Sequence, residues 1–253
     1  MYCDQATLIQ KGNQQILIDG GPSPQTISLE LSRKMPFWDR TIDLIVLTHP
    51  DYDHLSGLVE VLRRYQVKHV LYPDLDTESP IFDEFLKLIE EKNIQLTTAQ
   101  AGQQITLGDG LMINVLNPRL PPRDGTWEDS DNHGIVLQLS TGNLSFLLTG
   151  DIRQEAEFRL IASGIDLGST VLKIAHHGSD TSSTPEFLAA VNPQVAVISV
   201  GGDNKYGLPD DEVLDRLKKK PGPVNIYRTD RQGTIDFITD GERLWVETAD
   251  ESN

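Results

Sequence analysis

Apolar residues in this chain come in short runs divided by polar turns, and these runs alternate with segments of helical period. The first pattern marks half-buried or buried strands and the second marks amphipathic helices. Strands are predicted over residues 7–10, 15–19, 43–48, 67–72, 111–116, 134–139, 144–149, 170–175, 195–200, 224–228, 234–238 and 244–248. Helices are predicted over residues 25–33, 55–64, 80–91, 153–162, 185–191 and 210–219. Lys11-Gly12-Asn13, Gly108-Asp109-Gly110, Thr141-Gly142-Asn143 and Asp240-Gly241-Glu242 have the chemistry of hairpin tips. Thr184-Pro185 pairs a capping hydroxyl with proline in the first helical turn. Hairpins and strand–helix units occur in both halves, which argues for two sheets with helices outside in one domain over residues 1–253. Residues 117–132 are irregular, rich in Pro, Asp and Arg, and lie between two strands, as a candidate active-site loop.

Composition narrows the function. At 253 residues with 38% hydrophobic content, the chain has enough apolar material for one sizeable core. No segment reaches the ~20 apolar residues of a membrane span. The N-terminus has no signal peptide, which points to the cytoplasm. Cys3 is the single cysteine, so no internal disulfide forms and a reducing compartment fits. The net charge of −16 argues against a tight, nonspecific binder of polyanions. The one basic run, Lys218-Lys219-Lys220, closes a predicted helix, where cations complement the helix dipole.

Chemistry concentrates in His49-Pro50-Asp51-Tyr52-Asp53-His54. Four potential metal ligands follow the apolar run Leu44-Ile45-Val46-Leu47 and precede a helix opening at Leu55. The carboxyl end of a buried strand is where α/β folds place their sites. Imidazole with carboxylate suits a borderline or hard divalent ion such as zinc or manganese. The bland alternative is a polar loop with Asp53 capping the helix.

Other polar groups also end apolar strands. Asp19 closes Ile16-Leu17-Ile18 and is either part of an Asp-Gly-Gly turn or an acceptor that orients a ligand histidine. Asp151 follows Phe146-Leu147-Leu148-Thr149-Gly150 and can bridge two metals with its two oxygens or cap the next helix. His176 and His177 end the strand Val171-Leu172-Lys173-Ile174-Ala175 and read as ligands. Asp131, Asn132 and His133 precede another strand. Lys205 and Tyr206 lie in a loop after the strand ending at Val200, as substrate contacts or ordinary loop residues.

Taken together these residues resemble the metallo-β-lactamase superfamily. Asp19 matches its first motif, residues 49–54 its second, Asp151 its fourth and His176-His177 its fifth. More narrowly, the chain resembles the ComEC-type branch, the hydrolase domain of bacterial DNA-uptake proteins and its stand-alone relatives. That branch carries His-x-Asp-x-Asp-His where the commoner motif has His-x-His-x-Asp-His. It shares Leu147-Leu148-Thr149-Gly150-Asp151, His176-His177-Gly178-Ser179, Asn204-Lys205-Tyr206-Gly207 and Arg228-Thr229-Asp230 with this sequence. The resemblance implies an αββα sandwich that hydrolyses a phosphodiester with a metal-activated water. It implies two divalent metal ions, Zn2+ or Mn2+. His49 and Asp51, with a group from residues 131–133, would hold one. Asp53 and His54, with His176 or His177, would hold the other. Asp151 would bridge, and Asp53 would also handle the proton. Lys205 and Tyr206 would meet substrate.

The expected partner is single-stranded DNA or a small phosphodiester. A membrane channel domain or partner chain is expected to supply the family's first strand, which is missing before Ala6. An excised piece of a DNA-uptake protein would work outside the cytoplasm. Leu208 stands where the family often has histidine, so that histidine's role does not carry over. An interaction module with weakened catalysis, or a hydrolase of another ester, is the alternative.

Overall fold

The computed structural model describes residues 5–75, 77–108, 110–119 and 131–249. Residue 109 of a predicted hairpin tip, most of the predicted 117–132 loop, Cys3 and the stretch before the expected missing strand lie outside the described residues. The described residues fall into two compact units, 5–99 and 100–249.

The first unit is a five-stranded sheet with three helices. Its strands β1 (Thr7–Lys11), β2 (Gln14–Ile18), β3 (Thr41–Val46), β4 (Gln66–Tyr72) and β5 (Gln95–Thr98) lie side by side in chain order. β1 and β2 form an antiparallel hairpin, and β2 through β5 run parallel. Parallel neighbours need crossovers, and helices α1 (Pro24–Lys34), α2 (Tyr52–Arg64) and α3 (Pro80–Glu91) supply them. Leu17, Ile45 and Val70 from the strands pack with Leu31, Leu58, Leu62 and Phe85 from the helices in one buried cluster. Cutting a core Leu such as Leu62 to Ala costs about 2–5 kcal/mol, because removed contacts and the residual cavity add.

The second unit has a seven-stranded sheet. Its strands are β6 (Gln104–Leu107), β7 (Leu111–Asn117), β8 (Val136–Thr141), β9 (Leu144–Leu148), β10 (Val171–Lys173), β11 (Val195–Ile198) and β12 (Asn225–Arg228), arranged in reverse chain order. β6 to β9 run antiparallel, and β9 to β12 run parallel. Helices α4 (Gln154–Ala162), α5 (Pro185–Val191), α6 (Asp211–Lys219) and the short α7 (Thr229–Gln232) belong to this unit. A final hairpin of β13 (Ile235–Thr239) and β14 (Leu244–Thr248) sets the Phe237 ring 6.0 Å from Phe146.

Several expectations change. The strand expected over residues 170–175 ends at Lys173, before a 3-10 turn over Ala175–Gly178, and α7 was not expected. β5 and β6 are strands that periodicity did not predict, since four residues with mostly exposed side chains give too short an alternation. The strand expected from residue 134 starts at Val136, because Gly134 and Asp131 close a turn of 3-10 helix over Asp131–His133. Finally, α2 starts at Tyr52 and not at Leu55. Asp53 therefore lies inside the first helical turn, and the cap position falls on Asp51, whose side chain makes no capping bond.

Candidate metal centre

In the first unit the ligands gather where β2 and β3 end and α2 begins. Helix α2 lies directly against the 19–21 turn. Gly57 N–H donates to the Gly21 carbonyl at 2.9 Å, and Gly20 N–H donates to the His54 carbonyl at 2.8 Å. A Cβ on Gly57 would stand 1.9 Å from the Gly20 oxygen, so only glycine permits this approach. The approach brings Asp19, fully buried, to His54, also fully buried.

Asp19 is the hub of this half of the site. Its Oδ1 accepts from Thr48 N–H at 2.8 Å, and its Oδ2 accepts from the Thr48 hydroxyl at 2.7 Å. The same Oδ2 lies 2.8 Å from His54 Nδ1. With its proton committed to Asp19, the Thr48 hydroxyl accepts from His49 Nδ1 at 3.0 Å. Both imidazoles thus carry their proton on Nδ1, and Nε2 is the nitrogen each presents to a metal. The two rings lie 3.8 Å apart between centroids. His49 Nε2 lies 4.0 Å from Asp51 Oδ2, and the Asp51 side chain is 54% exposed.

The second unit contributes Asp151, His176 and His177. Asp151 follows Gly150 beyond β9, and the histidines follow β10. Both histidines have positive φ, 49° and 54°, a conformation rare for side chains with Cβ and held only by its surroundings. His177 is buried, and its Nδ1 donates to the Ser199 carbonyl at 2.8 Å. Its Nε2 is 3.2 Å from Asp151 Oδ2. His176 is turned elsewhere, with Nδ1 3.1 Å from the Thr181 hydroxyl. Gly178 completes the corner: a Cβ there would lie 2.5 Å from Pro209 Cβ.

The remaining candidates sort by what they touch. Asn132 Oδ1 accepts from Arg153 N–H at 3.1 Å and Ala156 N–H at 3.2 Å, so Asn132 caps α4 from outside the helix. Asp131 Oδ2 is 2.6 Å from the Arg153 guanidinium. His133 is half-buried in the same turn. Lys205 and Tyr206 are exposed, with the ammonium 5.1 Å from the ring centroid. Asn204 shapes their loop by binding the Gly201 and Leu208 carbonyls and the Leu208 N–H. Sequence reading overlooked Thr48 and Arg153. A threonine directly before the first histidine of a ligand run was the available signal for Thr48. Arg153 offered none, since its contact with Asp131 crosses 22 positions.

Each unit thus combines histidine whose Nδ1 is held by a protein acceptor with carboxylate oxygens. Such a donor set fits divalent ions of the zinc or manganese kind. Among the described residues no helix is long and apolar enough to cross a membrane.

Comparison with known proteins agrees. The chain is 30% identical over 198 residues to ComE operon protein 3 of Bacillus subtilis, a match covering 78% of this chain and 25% of that protein. It is 28% identical over 249 residues to Recombination protein 2 of Haemophilus influenzae, covering 96% of this chain and 29% of that one. The chain thus spans between a quarter and a third of the length of these relatives. The metallo-β-lactamase fold protein YhfI from Bacillus subtilis superposes with a TM-score of 0.60 at 14% identity, covering 97% of this chain and 92% of that one. The sequence pattern of the metallo-β-lactamase superfamily matches residues 5–202. The chain belongs to the metallo-β-lactamase superfamily and has its fold, as a metal-dependent hydrolase with a competence protein of Neisseria gonorrhoeae among its relatives.

Proposed function

We propose that this chain is a two-metal phosphodiesterase acting on single-stranded DNA or a small phosphodiester. The observation that carries the reading is the way its histidines are held. Asp19, Thr48 and the Ser199 carbonyl occupy Nδ1 of His54, His49 and His177, so three imidazoles present Nε2 beside carboxylates.

In this reading His49 and Asp51, with Asp131 or His133, would hold one divalent ion. Asp53, His54 and His177 would hold the second, and Asp151 would be a further ligand. When bound, the ions neutralise phosphoryl charge and acidify a water. The chain's own groups do the rest. Asp53, in the first turn of α2, accepts the water's proton. His176, partly exposed and held at Nδ1 by the Thr181 hydroxyl, faces the substrate. Lys205 and Tyr206 contact a phosphate and a base. No side chain acts as nucleophile.

Relatives named for competence and recombination support nucleic acid as the substrate class. The net charge of −16 supports few phosphate contacts, and so single strands or small diesters over a gripped duplex. The test is hydrolysis of single-stranded DNA, duplex DNA and a chromogenic phosphodiester with zinc or manganese added. Cleavage of the first and third with poor action on duplex is expected. No cleavage of any of them would overturn the reading and favour a metal-binding interaction module. Placement follows from the chain's context: as an excised domain of a DNA-uptake protein it would work outside the cytoplasm, and as a stand-alone chain inside it.

A further inference from the structure

We propose that Glu157 and Arg216 are positioning residues for His176, acting through the 179–184 loop that they clamp from two helices. The inference rests on the reading above that His176 faces substrate. Glu157 belongs to α4 and Arg216 to α6, and sequence analysis singled out neither.

The loop follows the histidine pair directly. Its backbone is held by side chains of opposite charge on opposite polarities of peptide group. The Glu157 carboxylate, with no exposed surface, accepts from Ser183 N–H at 2.5 Å and Thr184 N–H at 2.9 Å. The Arg216 guanidinium donates to the Ser182 carbonyl at 2.8 Å and the Asp180 carbonyl at 3.2 Å. Further bonds tie the loop to the starts of the same helices. Ser182 Oγ donates to the Ile152 carbonyl at 2.8 Å, Gln154 N–H to the Thr181 carbonyl at 3.0 Å, and Asp180 N–H to Asp210 Oδ2 at 2.8 Å.

What the clamp holds out is the Thr181 hydroxyl, 3.1 Å from His176 Nδ1. His176 has φ of 49°, a backbone state its own side chain disfavours. The hydroxyl is the hydrogen-bond partner that orients the ring, and the loop that carries it has little freedom while Glu157 and Arg216 are bound. A buried carboxylate is costly, and anchoring α5 alone needs only the Thr184 hydroxyl, which already accepts from Phe187 N–H at 3.2 Å. Holding the loop as a whole is the use that accounts for both.

The test reads the His176 ring directly, in metal-free protein, by long-range proton–nitrogen correlation of the imidazoles. Wild type should show His176 as one tautomer. Thr181→Val and Arg216→Ala should each show an averaged pattern, with His54, held by Asp19, unchanged as the internal reference. Arg216→Met keeps the apolar stem without the donor and should show the same averaged pattern. In metal-loaded protein Arg216→Ala should keep its metal content while kcat on the chromogenic diester falls by up to about 100-fold, the scale for misplaced catalytic geometry. If Arg216→Ala fails to fold, Arg216→Met carries the same reading. An unchanged His176 pattern in the folded Arg216 variant would overturn the proposal, whatever Thr181→Val shows. If wild type cleaves no diester, the substrate reading fails while the ring pattern still decides the clamp.

Discussion

Asp19 and His54 are 35 positions apart in sequence, yet the carboxylate and Nδ1 lie 2.8 Å apart with both side chains fully buried. The bond joins the end of β2 to the first turn of α2. It exists because Gly20 and Gly57 let two backbones touch.

Asp19→Asn tests that relationship. The amide offers one acceptor oxygen where the carboxylate offers two, so the Thr48 N–H and the Thr48–His54 pair can no longer both be satisfied and the hold on the His54 tautomer weakens. Metal affinity should fall about 10- to 100-fold, measured by competition with a chromogenic chelator. Unchanged affinity would reduce Asp19 to a turn residue.

Asp151→Ala should abolish hydrolysis and weaken metal binding while the melting temperature stays close to wild type. The fold is spared because Asn132, not Asp151, caps α4. Hydrolysis at the wild-type rate would remove Asp151 from the site.

His177→Ala should lose more metal affinity than His176→Ala. His177 is buried with Nδ1 on a backbone carbonyl and Nε2 beside Asp151, whereas His176 leans on Thr181. Isothermal titration with zinc gives the ranking, and the reverse order would exchange their roles.

Glu157 makes stability depend on pH. Burial raises its pKa above the ordinary 4.5, although bonds from Thr184 and Ser183 and the charge of Arg216 work against the shift. The folded state therefore holds this proton more tightly than the unfolded chain. The stabilisation is full below the unfolded value and is lost as pH rises through the folded one. The melting temperature of wild type minus that of Glu157→Gln should decline as pH is raised from about 4 to about 8. A difference that grows with pH would contradict the sign.

Much of the fold was legible because burial imposes periods. The runs at β2, β3, β9 and β10 read as strands without any partner in view, since each is apolar over most of its length. α3 and α6 read as helices for the same reason. β5 and β6 did not, because their residues are largely exposed and pairing with a neighbour, not burial, makes them strands.

The ligand candidates were legible too, because Asp and His at the ends of apolar strands are chemically conspicuous. Their division of labour was not. Thr48 serves both His49 and His54 only once α2 lies on the 19–21 turn, and Asn132 is a cap only because α4 starts beside it. Glu157 and Arg216 look like ordinary helix-surface residues in sequence, and become a clamp only when α4 and α6 meet the same loop. Sequence by itself determined which segments bury an apolar face and which residue types stand at their ends, since both are local properties. Tertiary structure decided which nitrogen each histidine presents and which carboxylate orients it, because a hydrogen bond depends on a distance of about 3 Å between atoms that the chain brings together from far apart.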